Sequence, residues 1–425
     1  MPMLELGPIF RAMRRNKARF GLIAIEVALT LAVVVNCVAL IRDAREQMSR
    51  PSGFDDDNLV VVNWTPFDTA FRDEDYRMQV IDADLKALRA APGVRAVQAT
   101  RITPWMGGGS SQELKPVGST GPLVRTQIYP TDEGLVDTLG VQLIEGRMFT
   151  HDDVVRDTAR IRELFAADRA RGPDGQPLDK FLQEVVITRA WGEKLWGPQP
   201  SYLGKMLEDS DTDQYRVIGV IDPFYNPYGW PIQEFAVFYA SFSSTYEGGS
   251  QYLVRAQPGQ AEMLMRTLEG TVTRGNTMRQ VQLRRVTEMR HNYFGAQRMV
   301  AVLMGLVAIL LVVVTALGIV GVTSFLVTER TRQIGTRRAL GATMVDILRY
   351  FLIENWLITT IGVVAGAGLA IGLNVALLSV VDGARLGVGT VLFGAAVLWA
   401  LGLASALVPA LRAARTSPAV ATRSV

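Results

Sequence analysis

Cysteine and histidine are almost absent from this chain: Cys37 stands alone, and His151 and His291 are the two histidines. One cysteine excludes an internal disulfide framework. Neither histidine has a Cys or His partner at ligand spacing, which excludes the usual zinc sites. No G-x-S-x-G elbow occurs. No G-x-x-x-x-G-K-[ST] phosphate loop occurs either; Gly204-Lys205-Met206 lacks both the spacing and the hydroxyl residue. Asp55–Asp57, beside Gly53, lacks the alternating ligands and closing glutamate of a calcium loop and reads as a solvated turn. The sequence therefore points to no catalytic residue, bound cofactor or metal. If nucleotide energy is used, another chain has to bind the nucleotide.

Charge is scarce in four stretches, Phe20–Ile41, Met299–Val327, Phe351–Val380 and Val388–Leu411. Each exceeds the roughly 20 residues that cross a bilayer at about 1.5 Å per residue. The first is longer than a signal-peptide core and has no small-x-small cleavage site after it, so an uncleaved anchor is expected. Cys37 follows Val-Val-Asn rather than the small residue of a lipoprotein site and reads as a lipid- or helix-facing residue.

Arginine and lysine mark one side. Arg11, Arg14, Arg15, Lys17 and Arg19 precede the first span. Arg330, Arg332, Arg337 and Arg338 lie between the second and third, and Arg412, Arg415 and Arg423 follow the fourth. The positive-inside rule puts both termini and the 328–350 loop in the cytoplasm. A basic patch so placed is a topology signal, and nucleic acid is not an expected partner. The fold class expected is an α-helical membrane protein with four transmembrane helices and a large α+β extracytoplasmic domain between the first and second. The expected order is a cytoplasmic segment 1–19, spans 20–41, 299–327, 351–380 and 388–411, the domain 42–298, a coupling loop 328–350, a short turn 381–387 and a tail 412–425.

Two β-α-β units bracket the large domain by alternation and period. The first is Leu59–Trp64, Asp82–Ala91 and Val94–Arg101. The second is Gln251–Ala256, Gln260–Thr271 and Gln280–Val286. An inserted subdomain is expected at about 120–240, with strands at Val124–Tyr129, Glu184–Thr188, Tyr215–Ile221 and Phe235–Tyr239. Val155–Ala170 reads as an amphipathic helix followed by a GPDGQP loop. One layered core with an insert is the expected arrangement.

The loop ERTRQIGTRRALGA, Glu329–Ala342, is the most specific segment. A short basic helix, Arg330–Leu340, ends at Gly341, and Thr343 with Asp346 caps a new helix. Within the spans, Glu26 and Glu354 are the carboxylates, suited either to anchoring and interhelix pairing or to a transport role. Gly362 and Gly366, and Gly368 and Gly372, have the spacing that lets helices approach closely, though a generic glycine-rich helix reads the same way. Asn36 and Asn374 are placed to bond weakly across helices.

The loop and helix ERTRQIGTRRALGATMVDILRYFLIEN (Glu329–Asn355) resembles the E-R-x-R-E-I-G-x-R-[RK]-A-[LI]-G-A signature of MacB/FtsX-type permeases of the ABC transporter superfamily, with Gln333 where Glu is common. The tail PALRAARTSPAVATR (Pro409–Arg423) is similar to that family's terminal pattern. LGVQLIEGRMFTHDD (Leu139–Asp153), EVVITRAWGEKLWG (Glu184–Gly197) and YRVIGVIDPF (Tyr215–Phe224) resemble its periplasmic core domain. His151–Lys180 is longer than the family's usual connection. The resemblance implies a permease in the bacterial inner membrane, driven by a separate ABC ATPase that carries ATP and Mg. It also implies a second permease chain, identical or related, a periplasmic adaptor as a further candidate partner, and contact with membrane lipids. It further implies mechanotransmission, in which ATP-driven motion acts on a substrate outside the membrane. The coupling residues would then be Glu329, Arg330, Arg332, Ile334, Gly335, Arg337, Arg338, Ala339, Leu340, Gly341 and Ala342. Arg337 and Arg338 would meet acidic residues of the ATPase, and Ile334, Ala339 and Leu340 would supply apolar contact. The rival readings are a non-transporting signalling subunit of the same architecture and a membrane-anchored enzyme.

Overall fold

A computed structural model of the chain describes residues 17–100, 105, 110–166, 182–211, 213–222, 225, 234–241, 250–378 and 386–415. The GPDGQP loop, most of the first cytoplasmic segment and the end of the tail motif lie outside the described residues. The chain divides into a helical unit, Met1–Arg50 with Gly295–Val425, and an α/β unit, Pro51–Phe294.

Four helices of the helical unit are long and apolar enough to cross a membrane. They are α1 (Lys17–Ser49), α8 (Gly295–Glu329), α10 (Met344–Leu378) and α11 (Val388–Ala414), and the short α9 (Thr331–Ala339) lies between α8 and α10. α1 runs past the expected end at Ile41 because 42–49, RDAREQMS, is rich in helix formers, and Pro51 follows its end. Its core, Phe20, Ile23, Val27, Leu31 and Val35, packs against Ile319, Ile358 and Leu398 of the other three helices. Between apolar helices, polar groups add direction. The hydroxyls of Thr30 and Thr315 meet at 2.6 Å. Asn36 Nδ2 donates to the Ala370 carbonyl at 3.1 Å, and Asn374 Nδ2 donates to Asn36 Oδ1 at 3.2 Å. Each such bond contributes about 0.6 kcal/mol in a membrane bundle.

In the α/β unit the bracketing segments form one four-stranded sheet. Its members are β1 (Leu59–Pro66), β2 (Val94–Thr100), β10 (Ser250–Ala256) and β11 (Arg279–Arg285), in the order β11-β1-β10-β2. Every neighbouring pair is antiparallel. Each β-α-β unit is therefore split, with a strand of the other unit between its own two, as in ferredoxin-like folds. Helices α2 (Glu74–Arg89) and α6 (Ala261–Gly275) share a core with the sheet through Ile81, Leu85, Leu88, Leu264 and Leu268. Asp84 of α2 pairs with Arg279 of β11 inside this layer and also accepts the Tyr252 hydroxyl at 2.5 Å. The Arg279 guanidinium donates to the Val272 carbonyl at 2.7 Å and lies over the Trp64 ring.

The intervening segment has a sheet of its own, wider than the expected 120–240. It contains β3 (Ser110–Pro116), β4 (Val124–Thr131), β5 (Leu143–Gly146), β6 (Leu182–Thr188), β7 (Met206–Glu208), β8 (Gln214–Ile221) and β9 (Ala236–Ala240). The order is β5-β8-β6-β9-β4-β3-β7, and β7 also pairs with β8, so the sheet closes on itself. Leu114, Val185, Ile187, Trp191, Tyr202, Leu207, Val217 and Val237 make a second core. The unit thus has two cores, one in the bracketing sheet and one in the intervening segment. Helix α3 (Leu135–Leu139) lies against β2 and β10 of the first sheet, whereas α4 (His151–Ala166) lies against β9 and α5 (Arg189–Trp196) against β6; α7 (Val286–Tyr293) leads out of the unit. α4 starts earlier than the expected Val155, because Thr150 and Asp153 bond reciprocally at its start.

Asp132 joins the two halves. Its carboxylate accepts the Ala99 amide of β2 at 3.2 Å and the Gly134 amide at 2.8 Å, and the residue is buried. Burial pushes its pKa up to about 7, with Glu133 adding to the rise and the two amides and Arg89 opposing it. The folded value lies above the unfolded one, so folding favours the protonated form. This stability is complete below about pH 4, declines by about 1.4 kcal/mol per pH unit above that, and is gone above about pH 7. Hydrogen exchange at the Ala99 and Gly134 amides should accelerate from pH 5 to pH 7 beyond the intrinsic rate. In Asp132→Asn the excess acceleration should vanish.

Candidate functional site

The turn between α8 and α10 is defined by its backbone. Gly341 takes φ +98°, a left-handed conformation that costs glycine no Cβ clash. The Ala342 N–H donates to the Arg337 carbonyl at 3.0 Å, and the Gly341 N–H to the Arg338 carbonyl at 3.1 Å. These are the paired bonds of a Schellman stop. Thr343 then opens α10. The Asp346 N–H donates to Thr343 Oγ1 at 3.2 Å, and the Asp346 carboxylate accepts the Thr343 N–H at 2.9 Å and its hydroxyl at 2.6 Å. Aspartate does here what glutamate does in the common capping box.

The arginines fasten this turn from within. Arg330 Nη1 donates to both Glu354 oxygens, at 3.0 and 3.1 Å, with side chains 13% and 3% exposed. Glu354 is therefore paired between helices. Arg338 Nη1 donates to the Ala414 carbonyl at 3.0 Å, placing a cation at the negative end of α11. The Arg337 guanidinium lies over the Tyr350 ring, 5.2 Å from its centroid. Arg19 of α1 reaches Glu329 Oε2 at 2.5 Å and lies over Phe325. Beneath the turn, Ile334 packs with Ile347, Phe351, Ala410 and Ala413.

Ile334, expected on a partner-facing surface, is thus buried inside the unit, as is Gly335. Ala342 is half-buried, whereas Arg332, Gln333, Thr336, Arg337, Ala339 and Gly341 are exposed. Leu340 is 83% exposed, Val345 69% and Met344 50%. The last two were not foreseen from the sequence. Their position just after the Thr343 cap, ahead of the apolar run, was the available signal.

The other singled-out residues lie elsewhere in the helical unit. A Cβ on Gly362 would come within 2.8 Å of the Ala24 carbonyl, and one on Gly366 within 2.8 Å of the Ala28 carbonyl. The first glycine pair therefore seats α10 against α1. Among the described residues, a Cβ at Gly368 or Gly372 would meet nothing within 4 Å, so the second pair makes no close approach there. Glu26 has no hydrogen-bond or ion-pair partner among the described residues. A Cβ on Gly318 would lie 2.5 Å from both its oxygens, so the absence of a side chain there leaves room for the carboxylate. In the α/β unit, Asp55 and Asp56 do not form a solvated turn: Arg255 Nη2 donates to Asp55 at 2.8 Å, and Arg290 Nη1 to Asp56 at 2.7 Å.

Comparison with known proteins locates these features. The model of the MacB-like periplasmic core domain matches residues 20–271, and that of the FtsX-like permease C-terminal domain matches residues 305–418. A macrolide export ATP-binding/permease protein MacB 1/2 of Paracoccus denitrificans is 27% identical over 419 residues, covering 96% of this chain and 56% of that protein. A pyoverdine export ATP-binding/permease protein PvdT of Pseudomonas savastanoi pv. phaseolicola is 34% identical over 128 residues, covering 30% of this chain and 20% of that protein. The chain spans about half the length of the first of these relatives. Among solved structures, the periplasmic region of MacB from Actinobacillus actinomycetemcomitans aligns at 15% identity and TM-score 0.34, covering 56% of this chain and 94% of that one.

Breaking the buried ion pair should be costly. Arg330→Ala leaves Glu354 buried and uncompensated, so a loss of about 3–5 kcal/mol is expected. Thermal unfolding in detergent micelles should show it, with Glu354→Gln restoring part of the loss in the Arg330→Ala background. In the same assay Gly366→Leu should cost about 1–3 kcal/mol through overpacking against α1, and Gly372→Leu should have little effect.

Proposed function

The chain belongs to the MacB/FtsX-type permeases of the ABC transporter superfamily, and from that premise we propose that it turns ATP hydrolysis by a separate ATPase subunit into motion of its α/β domain. Its four apolar helices make it a multi-pass membrane protein. In this reading it sits in a bacterial inner membrane with both termini and the 328–350 loop in the cytoplasm and the α/β domain in the periplasm. ATP and Mg are held by the partner subunit. The two relatives described above are named for export of a macrolide and of pyoverdine. The property their names share is export rather than a particular cargo.

The observation that carries the reading is the Leu340, Met344 and Val345 patch. It is apolar, it protrudes, and it stands on a turn held by a Schellman stop, a capping box and a buried ion pair. Removing such side chains from water contributes about 1.5–3 kcal/mol each. A rigid knob transmits displacement, which a flexible loop of the same composition would absorb. Arg332 and Arg337 are exposed at its edge, where they suit acidic groups of the ATPase. The side of α8 carrying Leu306, Ile309, Leu310 and Leu317 is uncovered among the described residues. It suits lipid and a second permease chain.

Leu340→Glu with Val345→Glu should leave the fold intact, because exposed substitutions typically change stability by about 0.5 kcal/mol or less. Co-purification with the ATPase subunit should weaken at least about tenfold, equivalent to about 1.4 kcal/mol. Stimulation of ATP hydrolysis should fall with it. Undiminished association of the double variant would remove the knob from the interface.

A further inference from the structure

One short segment, residues 51–58, gathers contacts from both halves of the α/β unit. The Tyr225 N–H, beyond β8, donates to the Ser52 carbonyl at 2.8 Å. The Asp55 N–H donates to the Leu139 carbonyl at 3.1 Å, and Arg255 of β10 pairs with the Asp55 carboxylate. Asp56 binds two groups at once. Oδ1 accepts Trp105 Nε1–H at 3.0 Å, and Oδ2 accepts Arg290 Nη1 at 2.7 Å. The Arg290 guanidinium also lies over the Trp105 ring, 5.1 Å from its centroid.

These three residues come from separate places in the chain. Asp56 follows the end of α1. Arg290 lies in α7, which ends just before α8 begins at Gly295. Trp105 belongs to the connection between β2 and β3, where the chain passes from the split β-α-β half to the closed sheet. Trp105 is 3% exposed and has φ +62°, in the left-handed region that a bulky residue rarely adopts. Its ring lies 5.6 to 6.2 Å from those of Phe54, Tyr225, Tyr293 and Phe294. A bulky side chain persists in such a backbone state only where its surroundings over-determine it.

We propose that Asp56, Trp105 and Arg290 form a latch that ties the two covalent junctions of the α/β unit into one handle, so that displacement of α1 and α8 moves the unit as a body. The proposal rests on the function proposed above and assigns positioning residues to it. A single carboxylate holds the outgoing and the returning chain together, and the indole ties both to the crossover between the two halves. Without the latch, either junction can yield separately, and displacement is lost in local bending.

The test uses the full chain with its ATPase subunit in lipid nanodiscs. Spin labels are placed at Val388, where α11 begins and outside the proposed handle, and at Met263 on α6, in a Cys37→Ala background. Labelled chain is diluted with unlabelled chain, and the label-to-label distance is measured without nucleotide and with trapped ATP. The parent chain should show a nucleotide-dependent shift. Asp56→Ala and Trp105→Ala should lose it while ATP hydrolysis continues, and Arg290→Lys should retain part of it. Should the alanine variants fail to fold, Asp56→Asn keeps the shape and an acceptor for Trp105 without the charge, and its shift should be reduced. A parental shift in the folded Asp56 and Trp105 variants overturns the latch alone. Absence of a shift in the parent overturns the driven motion and the latch with it.

Discussion

The buried pair of Arg330 and Glu354 fixes the end of the helical unit on which the proposed function depends. Both charges have left water, so each is tolerable only in the presence of the other. Arg330 immediately follows α8, and Glu354 lies within α10. Their bond therefore sets where the intervening α9 and its glycine stop can sit. The other fastenings are consistent with that placement. Ile334 fills the space beneath α9, Arg338 closes on the last turn of α11, and the capping box fixes the first turn of α10. Little freedom is left in the segment except at exposed side chains. A protruding apolar patch on so constrained a turn suits the transmission of a push.

A related economy operates in the α/β unit. Its two halves have separate cores, one in the split β-α-β sheet and one in the closed sheet. Separate cores invite independent motion, and polar groups buried at the connections oppose it. Asp132 bonds to β2 from the chain beyond β4, and Asp56 gathers Trp105 and Arg290. Buried polar groups at such junctions hold one geometry firmly because few alternative geometries satisfy them.

Much of this was legible in the sequence where the signal was local. Four apolar runs longer than a bilayer is thick gave the spanning helices, and Gly341, Thr343 and Asp346 gave the turn. Both β-α-β units were visible from their alternation, and their interleaving in one sheet was not. The C-terminal end of α1 was not, since hydropathy ignores a polar run of good helix formers such as 42–49. β3, SSQELKP, is too polar to read as a strand, and β7 has only three residues. Closure of the second sheet depends on β7 meeting β8, a tertiary outcome. The arginines were read as a topology signal and as ATPase contacts. Their internal partners, such as the Ala414 carbonyl for Arg338, lie far along the chain and left no local trace. Asp56 was read as solvated for the same reason, because Arg290 is distant in sequence.

In the proposed function the knob at 340–345 is the surface that receives the ATPase. Photo-crosslinking from an unnatural residue at position 340 tests this most directly, with the chain and its ATPase subunit co-expressed in membranes. A crosslink to the ATPase is expected from position 340 and none from position 393, an exposed phenylalanine on α11. Crosslinks from both positions alike, or from neither, would contradict it.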